Sequence, residues 1–266
     1  MWYHDNMNLS ADTQQILDQL EQTTGKPVNL LPNPALPVHA TIKAAKGSAP
    51  AHFLSYKPSL PGLDYAVAFQ CAFLLRIYQV PVEARFDFGS EKEGRDSVYK
   101  SLSGPNGTLE SYKLPEAAIQ TVTDQVFDGL MTQVRSLPIG MRVDAWLREH
   151  HPGLNVQQEQ SFAAQQVIAA QSLSPNVRNI TPPTLFSSNT AMNAAYALFC
   201  DRLLGRPLYG VFYRSTGFAD RGQALLDFWD QLPSDADYDR ALVDAWGNEL
   251  GLTDWYRWLP WQQSLN

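Results

Sequence analysis

Residues 63–79, LDYAVAFQCAFLLRIYQ, constrain this chain more than any other stretch. Placed on a helix they are apolar almost all round, and such a helix sits in the centre of a core rather than on a surface. The wider block Leu60–Val80 contains Asp64, Gln70, Arg76 and Gln79. These break any run of ~18 uninterrupted apolar positions, so the reading is a buried helix and not a membrane span. The chain has 266 residues, 44% apolar and 18% charged. At that size roughly 73% of the open-chain surface is covered on folding, enough for a core without metal or disulfide staples.

The segment in front of this helix is punctuated. Ser10 or Asp12 caps a helix over 10–24 with Ile16, Leu17 and Leu20 on its apolar side, and Gly25-Lys26-Pro27 ends it. Pro32, Pro34 and Pro37 then exclude helix. Residues 40–45 and 51–57 flank the five-residue link Lys46–Pro50 and read as an antiparallel hairpin.

Beyond the polar segment 101–113 the chain reads as helical. Pro115 opens a helix at its first position; this helix runs toward Arg135 and stops before Pro138, and a second covers 139–149. A glutamine-rich helix over 155–172 has Phe162, Val167 and Ile168 as its apolar face. Residues 179–188 read as a non-helical link. Further helices cover 191–204, 218–231 and 236–250, and the tail carries five of the seven tryptophans, rings expected to bury against the core. The expected fold class is α+β, mostly α, with a small antiparallel hairpin on the buried helix and a helical C-terminal half. The expected organisation is a region 1–113 and a helical region 114–266 in one continuous globule.

Phosphate-cradling GxxxxGK[ST] and GxGxxG, the GxSxG elbow, CxxC and HExxH are all missing. Cys71 and Cys200 are too few for a cysteine-rich zinc site and read as free buried thiols. His150 and His151 diverge by about 100° on a helix and read as a solvated helix end. Asp235 and Asp237 read as caps for the next helix. The first ten residues, MWYHDNMNLS, have neither a basic nor an apolar signal region, which implies a cytoplasmic protein. The net charge of −7 argues against a general nucleic-acid or anionic-membrane surface.

Residues 39–88 run from the hairpin through Tyr56-Lys57-Pro58 to a helix opening Leu63-Asp64-Tyr65. This string resembles the front of the ImmA/IrrE-type minimal zinc peptidases, as does Thr24-Gly25-Lys26-Pro27-Val28 ahead of the first strand. The resemblance implies a zincin-like helix in which a strand pair precedes the HExxH positions. On that frame the first histidine falls on Phe69, the glutamate on Gln70 and the second histidine on Phe73. Asn193, in the string NAAYALFC, takes the place of the third, acidic ligand. Phenylalanine has no lone pair for a metal. Glutamine cannot take up a proton as a general base, and asparagine keeps an oxygen without its charge. The resemblance therefore implies a pseudo-peptidase with no metal and no cofactor, its former site packed with aromatic rings.

Three functional readings remain open at this point. The first is a non-catalytic protein acting through protein contacts in a regulatory or sensing assembly, with the glutamine-rich helix as its surface, because amides desolvate at lower cost than charges. The second is an enzyme of another class with His39, Tyr56, Lys57 and Arg76 around the hairpin–helix junction, joined by Arg85 and Asp87. The third is a nucleic-acid accessory using Arg85, Lys92, Arg95, Lys100 and Lys113. Glu83, Asp87, Glu91, Glu93 and Asp96 interleave with that strip and largely cancel its field.

Overall fold

The structure is a computed structural model that describes residues 9–59, 61–105 and 107–261. His4 lies outside the described residues. The fold is α+β and mostly α. It divides into two compact units whose boundaries are not sequential. The described residues of Met1–Phe86, Arg142–Ala163 and Pro260–Asn266 form the first, and Asp87–Met141 with Ala164–Leu259 the second. The expected division at 113/114 is therefore not the one the contacts draw.

In the first unit, helix α1 (Ala11–Thr24) is capped by Ser10, whose Oγ accepts the Thr13 N–H. It ends at Gly25, where φ is +65°, a conformation glycine adopts without strain. Strands β1 (Val28–Pro32), β2 (Ala40–Lys43) and β3 (His52–Tyr56) form a sheet in the order β1-β3-β2. The expected hairpin is β2 and β3, antiparallel with Ala40 opposite Tyr56. Strand β1, at the place where the resemblance implies a first strand, lies parallel to β3 with Val28 opposite His52, a pairing that was not expected. Its one proline, Pro32, closes an edge strand, where the missing N–H costs little.

Helix α2 (Leu63–Gln79) has the bounds the sequence implies. Its Val67, Ala68, Cys71, Leu74 and Leu75 are buried with Ile16 and Leu20 of α1 and Leu54 of β3. Val143, Leu147 and Leu154 complete this core.

Strand β4 (Phe86–Ser90) pairs with β5 (Tyr256–Pro260) in a two-stranded sheet that the sequence reading missed. Between them come α3 (Lys92–Ser103), α4 (Glu116–His150), α5 (Asn155–Gln171), α6 (Pro175–Ile180), α7 (Pro183–Leu204), α8 (Val211–Arg214), α9 (Ala219–Gln231) and α10 (Asp239–Glu249).

Several expectations are corrected. Pro138 lies inside the single 35-residue helix α4 and does not break it. Val134, Ile139, Met141 and Val143 on either side are buried, so packing outweighs one lost backbone bond. The expected link 179–188 holds the end of α6 and the start of α7, because Pro183 sits at the first turn of α7, where a missing N–H is harmless. His151 is not solvated: the turn Pro152–Leu154 leaves it 3% exposed, its ring against Trp146 and its Nδ1 3.6 Å from Asp12 Oδ1. Asp235 precedes the turn Ala236–Tyr238 without a side-chain cap bond. The tail tryptophans are buried or half-buried, Trp246 completely, with its Nε1 donating to Leu225 O.

Candidate functional site

Helix α2 presents the three positions singled out by the resemblance. Phe69, Gln70 and Phe73 are half-buried rather than packed into a closed aromatic core. The fully buried positions of α2 are the ones that share the core with α1 and β3, which leaves the 69–73 side at its margin. Tyr65, Phe69 and Phe73 form a row at i, i+4 and i+8, with ring centroids 6.1 and 6.2 Å apart.

The row begins in a buried polar network. Tyr65 Oη donates to Asp144 Oδ1 at 2.5 Å. Gln158 Nε2 donates to the Asp144 carbonyl at 2.9 Å and to its Oδ1 at 3.3 Å. Gln157 Oε1 accepts the Tyr65 N–H at 3.1 Å. Asp144 and Gln158 are 2% and 1% exposed, so these bonds satisfy groups that water cannot reach. Sequence reasoning missed this network. Its available signal was Asp144, which with Arg142 interrupts the otherwise apolar stretch Ile139–Leu147.

The four residues proposed as a pocket do not gather. His39 and Lys57 are ladder neighbours, with Lys57 N–H donating to His39 O at 3.0 Å, and Tyr56 is buried. Arg76 lies near the other end of α2. Two residues on, the Tyr78 ring meets His52 at the start of β3, 5.6 Å between centroids. From His52 to Lys57 the strand advances about 16 Å. Arg76 instead lines a pocket of about 40 Å³ with Ala72, Leu75, Gln79, Val143 and Trp146, room for a few waters and far below a ligand site.

Asn193 belongs to the second unit, on α7. Its Oδ1 accepts from Gln133 Nε2 at 2.7 Å and its Nδ2 donates to Asn189 Oδ1 at 3.2 Å, a chain of amides. Among the described residues no three His, Cys, Asp or Glu side chains gather as metal ligands. Neither cysteine is in a disulfide, and both are buried. Burial, with Glu21 nearby, pushes the Cys71 thiol up to about 12, so it stays protonated and unreactive.

Two members of the basic strip are ion-paired, and a third, Arg85, is turned onto backbone carbonyls. Arg85 donates to Val80 O and Tyr78 O and lies over the Tyr78 ring. Lys92 pairs with Asp96 at 2.6 Å, and Arg95 with Asp124 and Asp128 at 2.5 and 2.7 Å.

Helix α5 inverts the expected orientation. Gln158, Phe162 and Gln166 are buried, while Val156, Val167 and Ile168 are 69%, 62% and 66% exposed. Phe162 and Val167 are five positions apart, about 140° around a helix, and cannot share a face. The buried side follows Phe162 at i−4 and i+4, which selects the two glutamines. Gln158 finds its partners in Asp144, and Gln166 Nε2 lies 3.9 Å from Cys200 Sγ.

No family model, curated protein or solved structure matches this chain. Among the described residues no helix is long and apolar enough to cross a membrane.

Proposed function

We propose that this chain is a non-catalytic protein of pseudo-peptidase type that works by contact with another protein, as a regulatory or sensing component. The observation that carries the reading is α5. A helix that buries two amides and leaves Val156, Val167 and Ile168 in water exposes apolar area that a partner would remove from it. Two further observations support it. The hairpin followed by the buried helix α2 is the order the resemblance implies. The side chains at 69, 70 and 73 offer a metal no charged or imidazole donor.

A photo-crosslinking amino acid placed at Val167 in cells tests the contact. Discrete protein adducts that disappear with Ile168→Asp are expected. Adducts no different from those formed at the charged, exposed Lys92 overturn it. Metal-dependent cleavage of a protein substrate by the purified chain, lost in Gln70→Ala and kept in Lys92→Ala, overturns the non-catalytic part.

A further inference from the structure

Between Glu21 and Asp64 the sequence has no acidic residue, while Lys26, Lys43, Lys46 and Lys57 all fall there. These four lysines carry +4, which leaves −11 on the remainder of a chain whose net charge is −7. The stretch contains all three strands of the β1-β3-β2 sheet. Glu21 is itself turned onto the Val28 N–H at 2.7 Å. A division of charge this sharp suits an anionic partner at the sheet, although not at the chain as a whole.

Alternation gives the sheet two faces. Val28, Ala40, Leu54 and Tyr56 turn inward and are buried. The other face is open, and its register sets side chains in rows. Phe53, on the central strand, lies between Asn29 of β1 and Lys43 of β2. Ser55 lies between Leu31 and Thr41. One step further Lys57 lies beside His39, whose carbonyl accepts its N–H at 3.0 Å. Phe53 is 39% exposed, and none of its companions on this face is buried.

We infer that this face binds single-stranded nucleic acid, with a base stacked on the Phe53 ring and backbone phosphates at Lys43 and Lys57. The chemistry of the face selects the occupant. A ring at the centre of a flat polar surface offers its π-face to an unpaired base and not to one inside a duplex. Asn29, Ser55 and Thr41 supply donors and acceptors for base edges and sugar hydroxyls. From the Phe53 row to Lys57 the strand advances about 13 Å, the reach of roughly two nucleotides. Lys26, its Nζ held by Ala45 O and Gly47 O at 3.1 and 2.8 Å, fixes a further positive charge at the β2–β3 turn. A lipid surface suits this face less well, because only Leu31 and Phe53 on it are apolar. The contact belongs to β1, β2 and β3 and is separate from the one proposed for α5.

Fluorescence anisotropy of a labelled oligouridylate of about ten nucleotides, titrated with the full chain, tests this. One ring and a few cations give a weak association, with an expected dissociation constant of about 10–100 µM at ~50 mM salt. Two to three neutralised phosphates give a log–log salt slope of roughly −1.4 to −2. Phe53→Ala is expected to weaken binding about tenfold with the slope unchanged, and Lys43→Gln to reduce the slope by about 0.7. Both substitutions are at exposed positions, and each variant is first matched to the wild-type melting curve. An RNA duplex of the same length is expected to bind at least about fivefold more weakly. No binding by the wild type up to about 200 µM overturns the inference. So does a duplex bound as tightly as the single strand. Phe53→Ala binding as tightly as wild type marks a general polyanion surface and also overturns it. Flotation with phosphatidylserine-containing vesicles that Phe53→Ala abolishes, where the oligouridylate does not bind, assigns the face to lipid instead. The Val167 crosslink is untouched by any of these results, so the proposed function stands or falls apart from them.

Discussion

Nδ1 of His52 accepts the backbone N–H of Ala45 at 2.9 Å across the turn that joins β2 to β3. That bond fixes the tautomer: a ring nitrogen that accepts carries no proton, so the proton is on Nε2, 3.1 Å from Thr24 Oγ1. Thr24 passes its own hydroxyl hydrogen to Leu20 O at 2.8 Å. The ring is fully buried, and Lys26, close enough to donate to Ala45 O, adds a positive charge. Burial first, and Lys26 second, bring His52 down to about 4.

A folded value below the free imidazole's 6.5 means that the unfolded chain binds the extra proton between pH 6.5 and 4. Stability from His52 is therefore complete above about pH 6.5 and is lost as pH falls toward 4. The loss amounts to about 2 kcal/mol after allowance for screening. His52→Asn, which keeps an acceptor near the Ala45 N–H, is expected to flatten this slope. Urea midpoints at pH 4.5, 5.5 and 7 measure it.

Half-burial of Phe73 sets a modest cost for removing its ring. Phe73→Ala should destabilise by about 1–2 kcal/mol, with the chain still folded. Leu54→Ala, at a fully buried position in the same core, should cost about 2–5 kcal/mol. Denaturant midpoints for the two variants, equal or in reverse order, would contradict the burial assigned to α2.

How far the sequence carried these conclusions depends on the kind of signal. Helix α2 was legible to the residue, because an apolar run bounded by glycine needs no partner to be recognised. The β2–β3 hairpin was legible from its turn residues. The pairing of strand β1 was not: a parallel neighbour has no local turn, and its place beside β3 is a long-range choice. Nor were β4 and β5, about 170 residues apart in the chain. The Phe69, Gln70 and Phe73 positions could be placed on one helix from spacing alone. Asp144 and Gln158, which tie Tyr65 into the core, come from later segments, and nothing near Tyr65 announces them. In α5 the polarity of glutamine argued for solvent, whereas its reach to Asp144 decided the orientation.

The bond between Tyr65 and Asp144 lies inside this buried network. Tyr65→Phe removes a donor at 2.5 Å and should cost about 1–3 kcal/mol. Asp144→Asn keeps an oxygen at the same place. The double variant should cost less than the sum of the two singles, since both changes act on one bond. Additivity in a double-mutant cycle by denaturation would show that the two side chains do not share it.

The close approach of α9 to α7 makes the last prediction. A Cβ built at Gly222 would lie 2.7 Å from the Ala195 backbone nitrogen and 2.8 Å from the Ala194 carbonyl carbon. These are backbone atoms in the middle of a helix, and they cannot rotate aside as a side chain would. Gly222 itself is buried and helical, with no positive φ, so alanine there has a favourable backbone propensity worth up to about 1 kcal/mol. The steric term opposes it, because α9 must move off α7 and loosen the packing on that side. Overpacking of this kind costs typically 1–3 kcal/mol, which outweighs the propensity gain. Gly222→Ala is therefore expected to lower the melting temperature, whereas Gly129→Ala, on α4 with nothing within 4 Å of its built Cβ, is expected to raise it. Thermal unfolding of the two variants gives opposite signs if α7 and α9 meet backbone to backbone, and the same sign if they do not.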